Sequence, residues 1–323
     1  MRSRASELQG TIGPANEAAG IRRFVSLDSG NPMVAYLFLL PHALLFLAFV
    51  VYPIVSGVWL SLHRYNPLAK QQAFVGGLFY QRLLDFSTPE AANFWRAMAQ
   101  TAFFTAVIVP ILIALALLLA VLLQRPILGR GVFRTIFFVP TVLSVSVMAI
   151  LWRWMSADQF GLVNVVLGDI GLPSIPFISR EWLAWIPIVV GTLWWTVGFN
   201  MTLYLAALAS IPETYYEAAE LDGAGVWGRF RHITFPLLMP ATLFVAITTV
   251  LASLQLYGQS QLITNGGPTR TTQSAMMVIT EQAFTNHQLS SATAMSLVFG
   301  LLLVLFAAFQ FRLMSGRVRA AVR

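Results

Sequence analysis

Cysteine is absent from this chain, which excludes disulfides and thiol chemistry. Charge is scarce as well: 20 Lys+Arg and 13 Asp+Glu make only 10% of the 323 residues, against about 25% in a soluble domain. There is one lysine, Lys70, followed by Gln71 and with no glycine close before it. A phosphate-binding loop needs a glycine-rich backbone and then Lys with Ser or Thr, so none is available. His42, His63, His232 and His287 are scattered and form no metal-ligand spacing. No nucleophile with a nearby base stands out, so the chain reads as a non-enzyme. Inside the long apolar runs the one charged residue is Arg153, at the end of its run. Ion-coupled carriers usually keep a carboxylate inside the membrane, and none is offered here. Any work this protein does must draw its energy from a partner.

What the chain has in abundance is apolar surface, 57% of residues, with a mean hydropathy of +0.72. Six runs, at 34–62, 98–123, 135–155, 184–209, 237–258 and 289–311, are each 21 to 29 residues long. A helix needs about 20 to cross a bilayer. Lipid cannot satisfy an open strand edge, so the spans are expected to be helices. The expectation is an all-α integral membrane protein with six transmembrane helices. A polar tail (1–33) precedes the first span (34–62) and an outer interfacial segment (63–97). Five spans (98–311) then form a core, and a basic tail (312–323) follows. With the N-terminus inside, the inner side holds 13 of the 20 basic residues and the outer side 7, beside six acids. The positive-inside rule then places both termini and residues 210–240 in the cytoplasm. The net charge of +7 therefore reflects orientation, and nucleic acid is not implied. Residues 5–30 are polar and the first apolar run is too long for a cleaved leader, so none is expected.

The segment 210–240 is polar and charged between two uncharged runs. Ser210 and Glu213 have capping-box spacing for a helix start, with Pro212 tolerated in that first turn. Glycine at 223 is placed to close the helix in the left-handed conformation. A second short helix would carry Val226, Trp227, Phe230 and Ile233 on one side. Taken alone, this is equally an amphipathic hairpin lying on a membrane surface. On the preceding span Thr196, Asn200 and Tyr204 are four apart and share a face. Gly198 beside them offers a close-packing point or a local unwinding. The next span shows Thr248, Ala252, Gln255 and Gln259, with Tyr257 nearby. Hydroxyls and amides both donate and accept, so these stripes suit an uncharged, hydroxyl-rich solute. They equally suit helix–helix adhesion.

Glu217-Ala218-Ala219, Gly223, Ile233 and Phe235-Pro236, at this fixed spacing, resemble the EAA loop of ABC-importer permeases. That family usually has Leu where this chain has Phe235. Gly129–Arg134, Gly161–Asn164, Gly198–Met201 and Gln282–Phe284 resemble the same family. Leu262–Pro268 is similar to the outer loop of the first permease in maltose-type and glycerol-3-phosphate-type heterodimeric pairs. The resemblance implies a type I ABC-importer permease fold in a bacterial cell membrane. It implies that Glu217, Ala218, Ala219, Asp222 and Gly223 form a coupling helix docking into a separate ATPase. It further implies a second permease subunit, two ATPase subunits and an extracytoplasmic solute-binding protein. ATP and magnesium would sit on the ATPase, with no cofactor on this chain. On this reading a sugar passes along Thr196, Asn200, Tyr204, Gln255, Tyr257 and Gln259. The alternatives are an importer of glycerol-3-phosphate or another polyol derivative and, from a different class, an ion-coupled carrier or channel.

Overall fold

The computed structural model describes residues 32–66, 71–124 and 128–321. The expected polar tail lies, up to residue 31, outside the described residues, as do Lys70, Arg125 and the last two positions. The chain divides into two compact units, residues 1–57 and 58–323. In the first, α1 (Pro32–Phe46) contains Pro41 and runs into a π-helical turn, Leu47–Val51, ahead of α2 (Tyr52–Ser61). That turn lies directly before Pro53, which has no N–H to give; a wider turn is one way a helix absorbs a proline. The span Tyr36–Ser61 has the length and hydropathy to cross a membrane. Its side chains are largely exposed, as suits a helix solvated by lipid.

The second unit starts with a departure from the all-α expectation. An antiparallel hairpin pairs β1 (His63–Asn66) with β2 (Gln71–Phe74), His63 opposite Phe74. His63 stacks on Trp59 at 4.2 Å and meets Phe74 edge-on at 5.2 Å. Four residues per strand are too few to show a period in sequence, and the hairpin leans on a distant hydroxyl: Tyr65 N–H donates to Ser290 Oγ at 3.0 Å. Helix α3 (Leu78–Leu84) follows. Helix α4 (Pro89–Gln124) begins nine residues before the apolar run that announced it. Its polar first turns are kept helical by packing: Phe94 and Ala97 join Phe79 and Leu83 of α3 in a buried cluster with residues from the last third of the chain.

The third apolar run, 135–155, is not one straight helix. Helix α5 (Arg130–Phe138) passes through a 3-10 turn, Val139–Val142, and α6 (Val145–Met155) leaves at 101°. Pro140 weakens the helical ladder there, and Ser144 caps the new start by accepting from Val147 N–H at 3.3 Å. A carbonyl freed at the break needs a donor inside a membrane; Trp195 Nε1 supplies one to Leu143 O at 3.0 Å. Helix α7 (Leu162–Asp169) sits in the following loop. Buried Asn164 fastens that loop, donating to Ala157, Asp158 and Ile175 carbonyls and accepting from Ile175 N–H at 2.8 Å.

Helix α8 (Trp185–Ala209) is the central partner of α4. Leu112, Ala116, Ala120 and Leu123 of α4 close on Val197, Met201, Tyr204 and Leu208 of α8. Both sets recur at three- and four-residue spacing, one stripe against another. Three short helices, α9 (Thr214–Leu221), α10 (Val226–Arg229) and α11 (Phe235–Leu237), form the loop after α8. A π-helical turn, Phe230–Thr234, joins the last two. Helix α12 (Met239–Leu254) then turns by 62° from the segment before it, next to Pro236 and Pro240. The chain ends with α13 (Gly258–Ile263), α14 (Ala275–Thr280) and α15 (Leu289–Ala321). Among the described residues four helices are long and apolar enough to cross a membrane, or up to six if each bent pair counts as one span.

Candidate functional site

Helices α4, α8 and α12 enclose a cavity of about 520 Å³ whose mouth is completed by α13 and by Val145 of α6. Thr192, Thr196 and Asn200 of α8 line it, and so do Thr248, Thr249 and Ser253 of α12. Gln255 and Gln259 enter from the break between α12 and α13. Phe104, Ile108, Trp195 and Phe199 supply apolar walls. No Asp, Glu, Lys or Arg lines it among the described residues. The volume lies in the range of small-molecule sites.

Most polar groups here are already engaged. Thr192, Thr196, Thr248 and Ser253 donate to carbonyls of their own helices, as at 2.6 Å from Thr196 to Thr192 O. Their oxygens still present lone pairs to the cavity. Asn200, 5% exposed, donates from Nδ2 to Thr249 Oγ1 at 3.2 Å and so ties α8 to α12. Gln255 and Gln259 make no side-chain hydrogen bond among the described residues, so their amides are free for a solute.

The two polar stripes read from sequence fare differently. Thr196 and Asn200 reach the cavity, whereas Tyr204, one turn further, is fully buried against Leu112, Ala116 and Leu208. A helix face drifts around its axis, and the cavity ends where α4 closes on α8. Thr248, Ala252, Gln255 and Gln259 all line the cavity, but not on one helix. Helix α12 stops at Leu254, Tyr257 takes φ −143° and ψ −70°, and α13 restarts at Gly258. Glycine suits this close approach: a Cβ at 258 would lie 3.0 Å from Val145 Cγ2. The break turns Tyr257 away, into a separate polar cleft of about 420 Å³ with Gln261, Asn265, Arg270 and Glu281. Tyr204 and Tyr257 are therefore not part of the cavity that holds the other four. Trp195 and Phe199 were legible as neighbours of Thr196 on α8; Phe104 and Ile108 come from α4, which no spacing within α8 or α12 could reveal.

Gly198 serves close packing and not unwinding. Helix α8 is continuous through it, and a Cβ there would lie 1.9 Å from Phe137 O of α5.

The loop after α8 is closed by its glycine as expected but opened differently. Ser210 caps the end of α8, its hydroxyl donating to Ala207 O at 2.7 Å, and makes no box with Glu213. Proline at 212 disfavours a helical Ile211, so α9 starts anew with Tyr216 and Glu217 N–H on Glu213 O. At its end Gly223 has φ +77°, its N–H reaches Glu220 O, and Ala224 N–H reaches Ala219 O at 2.8 Å. These paired bonds are the left-handed glycine closure of a helix. Tyr216 fixes the angle of α9, its hydroxyl 3.0 Å from that of buried Thr234. Arg229 donates to Glu220 at 3.0 Å across the turn. Arg229 is half-buried but Glu220 stands in solvent, so the pair contributes about 1 kcal/mol at most.

Of the residues expected to couple, Glu217, Ala218, Asp222 and Gly223 are exposed and Ala219 is half-buried. Leu221 is 91% exposed and Trp227 70% exposed. Two large apolar side chains thus stand open on a short, well-closed helical hairpin. Tyr216→Phe is expected to loosen the hairpin by about 0.5–1.5 kcal/mol, one neutral hydrogen bond. Protease nicking between residues 221 and 226 should quicken while the membrane helices stay protected.

Residues 94–320 match the family described as "Binding-protein-dependent transport system inner membrane component". A lactose transport system permease protein of Rhizobium radiobacter is 36% identical, over 85% of this chain and 92% of that one. A trehalose/maltose transport system permease protein of Thermococcus litoralis is 32% identical, over 76% and 81%. An sn-glycerol-3-phosphate transport system permease protein of Rhizobium meliloti is 30% identical, over 89% and 97%. Among solved structures, a bacterial alginate ABC transporter in complex with an alginate-pentasaccharide-bound periplasmic protein contains a chain with this fold. Its TM-score is 0.78 at 22% identity, covering 88% of this chain and 95% of that one.

Proposed function

Because this chain belongs to the family of binding-protein-dependent transport system inner membrane components, we propose that it is the permease subunit of an ATP-driven importer of a sugar. The observation that carries the solute class is the cavity between α8 and α12, lined by aromatic rings, hydroxyls and two free amides and, among the described residues, by no charged side chain. Neutral donors and acceptors match sugar hydroxyls without a counter-charge. A phosphorylated solute favours an arginine or lysine in its path; this weighs against glycerol-3-phosphate, although two relatives carry that name. The names of the lactose and trehalose/maltose relatives support the sugar reading. An ion-coupled carrier is disfavoured because no carboxylate among the described residues faces the cavity.

On this reading both termini and the loop at 210–240 face the cytoplasm. A second permease completes the pathway, and a solute-binding protein delivers the sugar from outside. Two ATPase subunits take the exposed face of α9 around Glu217, Ala218 and Ala219. They hold the ATP and magnesium, and this chain holds no cofactor. Closure of the ATPases moves α9, and α8 and α12, which flank the loop, carry that motion to the cavity walls.

The experiment is a double substitution, Gln255→Leu with Gln259→Leu, which leaves the Asn200–Thr249 tie between the helices intact. Loss of two neutral hydrogen bonds at about 1 kcal/mol each lowers uptake of the cognate sugar by roughly tenfold or more. Assembly and basal ATP hydrolysis are expected to persist. Unchanged sugar uptake would place the path elsewhere.

A further inference from the structure

A second cavity, of about 660 Å³, opens where the end of α4, helix α5 and the last turns of α8 meet. Arg130, Arg134, Thr135 and Phe138 of α5 line one wall, Thr202 and Ala206 of α8 the other. Nothing in the solute path or the coupling loop uses these residues. The arginines are four apart and so share a face of α5. Each gives one bond to a carbonyl at the end of α4: Arg130 Nη1 to Gln124 O at 3.1 Å, Arg134 Nη2 to Leu123 O at 3.5 Å. A guanidinium has five donors, and Arg134 Nε is buried with no partner. No acid lines the cavity among the described residues. Two cations thus meet in one half-buried site that is short of acceptors.

The surroundings indicate where the missing anion comes from. Helices α4 and α8 both end here, so the cavity lies at one face of the membrane. Val132, Phe133 and Ile136, on the rest of α5, are exposed. A short helix with arginines on one side and bare apolar side chains on the other has the pattern of a helix in the headgroup layer. Basic clefts between membrane helices bind anionic headgroups.

We propose that the cleft of Arg130 and Arg134 is a binding site for one anionic phospholipid. Its phosphodiester lies between the two guanidiniums, and an acyl chain runs over Phe138. The site requires the membrane setting of the chain and is independent of which solute it transports.

The test reconstitutes the full chain, with whatever subunits co-purify, into nanodiscs of phosphatidylcholine alone or mixed with phosphatidylglycerol. Retained lipid is read by native mass spectrometry. Phosphatidylglycerol should be retained in preference to phosphatidylcholine, and Arg130→Gln with Arg134→Gln should lower its affinity by about tenfold or more. Should that variant fail to fold, Ala206→Glu decides. It puts a carboxylate into the cleft from the exposed side of α8, pairs with the arginines and evicts the lipid without removing either of them. Full phosphatidylglycerol retention by a folded Ala206→Glu protein overturns the proposal. Inorganic phosphate should not displace the lipid; displacement at equal concentration would assign the site to a free anion. A photo-crosslinker at Thr135 is expected to capture lipid. Capture of a protein subunit would give the arginines to a partner's carboxylate and equally defeat the assignment.

Discussion

Gly198→Val is expected to remove the folded protein from the membrane. A Cβ at this position would sit 1.9 Å from Phe137 O, 2.5 Å from its carbonyl carbon and 2.8 Å from Phe138 Cα. All three are backbone atoms, so no rotamer change relieves the overlap. Helix α5 would have to withdraw from α8, loosening the bond from Trp195 to Leu143 O that completes the neighbouring break. Overpacking a well-filled interior typically costs 1–3 kcal/mol and occasionally more; a contact this short belongs at the upper end. Gly198→Ala should fail in the same direction. Gly300 in α15 is the control, since a Cβ there meets nothing within 4 Å and alanine favours a helix by about 1 kcal/mol over glycine. Membrane-fraction level and elution profile in detergent are the measurements. A monodisperse Gly198→Val protein at normal level would show that α5 and α8 do not pack this way.

The second large effect concerns coupling. Gly223→Val should abolish sugar uptake, with the ATPase either detached or hydrolysing without transport. The reason is purely conformational: φ is +77° and, among the described residues beyond its chain neighbours, an added Cβ would meet nothing within 4 Å. A β-branched residue held in that region is strained by roughly 1–3 kcal/mol, enough to undo the closure of α9 and swing Leu221 and Glu217 off their angle. Asparagine tolerates the left-handed region far better, so Gly223→Asn should keep most of the uptake. The pair is diagnostic. If both variants fail equally, the glycine is there because a partner approaches closely; if Val matches wild type, the turn does not set the coupling angle.

Both glycines were visible in the sequence, but for different reasons. Asp222-Gly223 follows a helix-length polar segment, and closure by a left-handed glycine is a local matter of backbone sterics, so position and conformation could both be read in advance. Gly198 could be noticed but not interpreted, because its meaning resides in Phe137, 61 residues away. Ser210 shows the limit of a local rule. Its spacing to Glu213 suits a capping box, yet α8 continues to Ala209 and takes the serine as its own cap. Two local motifs competed for one residue, and the serine closes α8.

The broad character of the molecule follows from the sequence by itself: membrane-embedded and mainly helical, with a polar, charged loop after α8 and uncharged polar stripes on the segments either side of it. Composition, run length and motif spacing are local or additive quantities, so they survive without coordinates. Only the tertiary structure decided how those segments are spent. It broke the run at 135–155 by 101° and that at 237–258 after Leu254, and it paired a short hairpin where no strand was expected. It also sent Tyr204 into the core and Tyr257 into another cleft while keeping Thr196, Asn200, Gln255 and Gln259 together. Each of these outcomes depends on a contact between residues far apart in the chain. Trp195 satisfies the carbonyl of Leu143, Val145 crowds the position of Gly258, and α4 fills the face of α8 beyond Asn200. A periodic pattern within one helix carries no information about which neighbour will cover it.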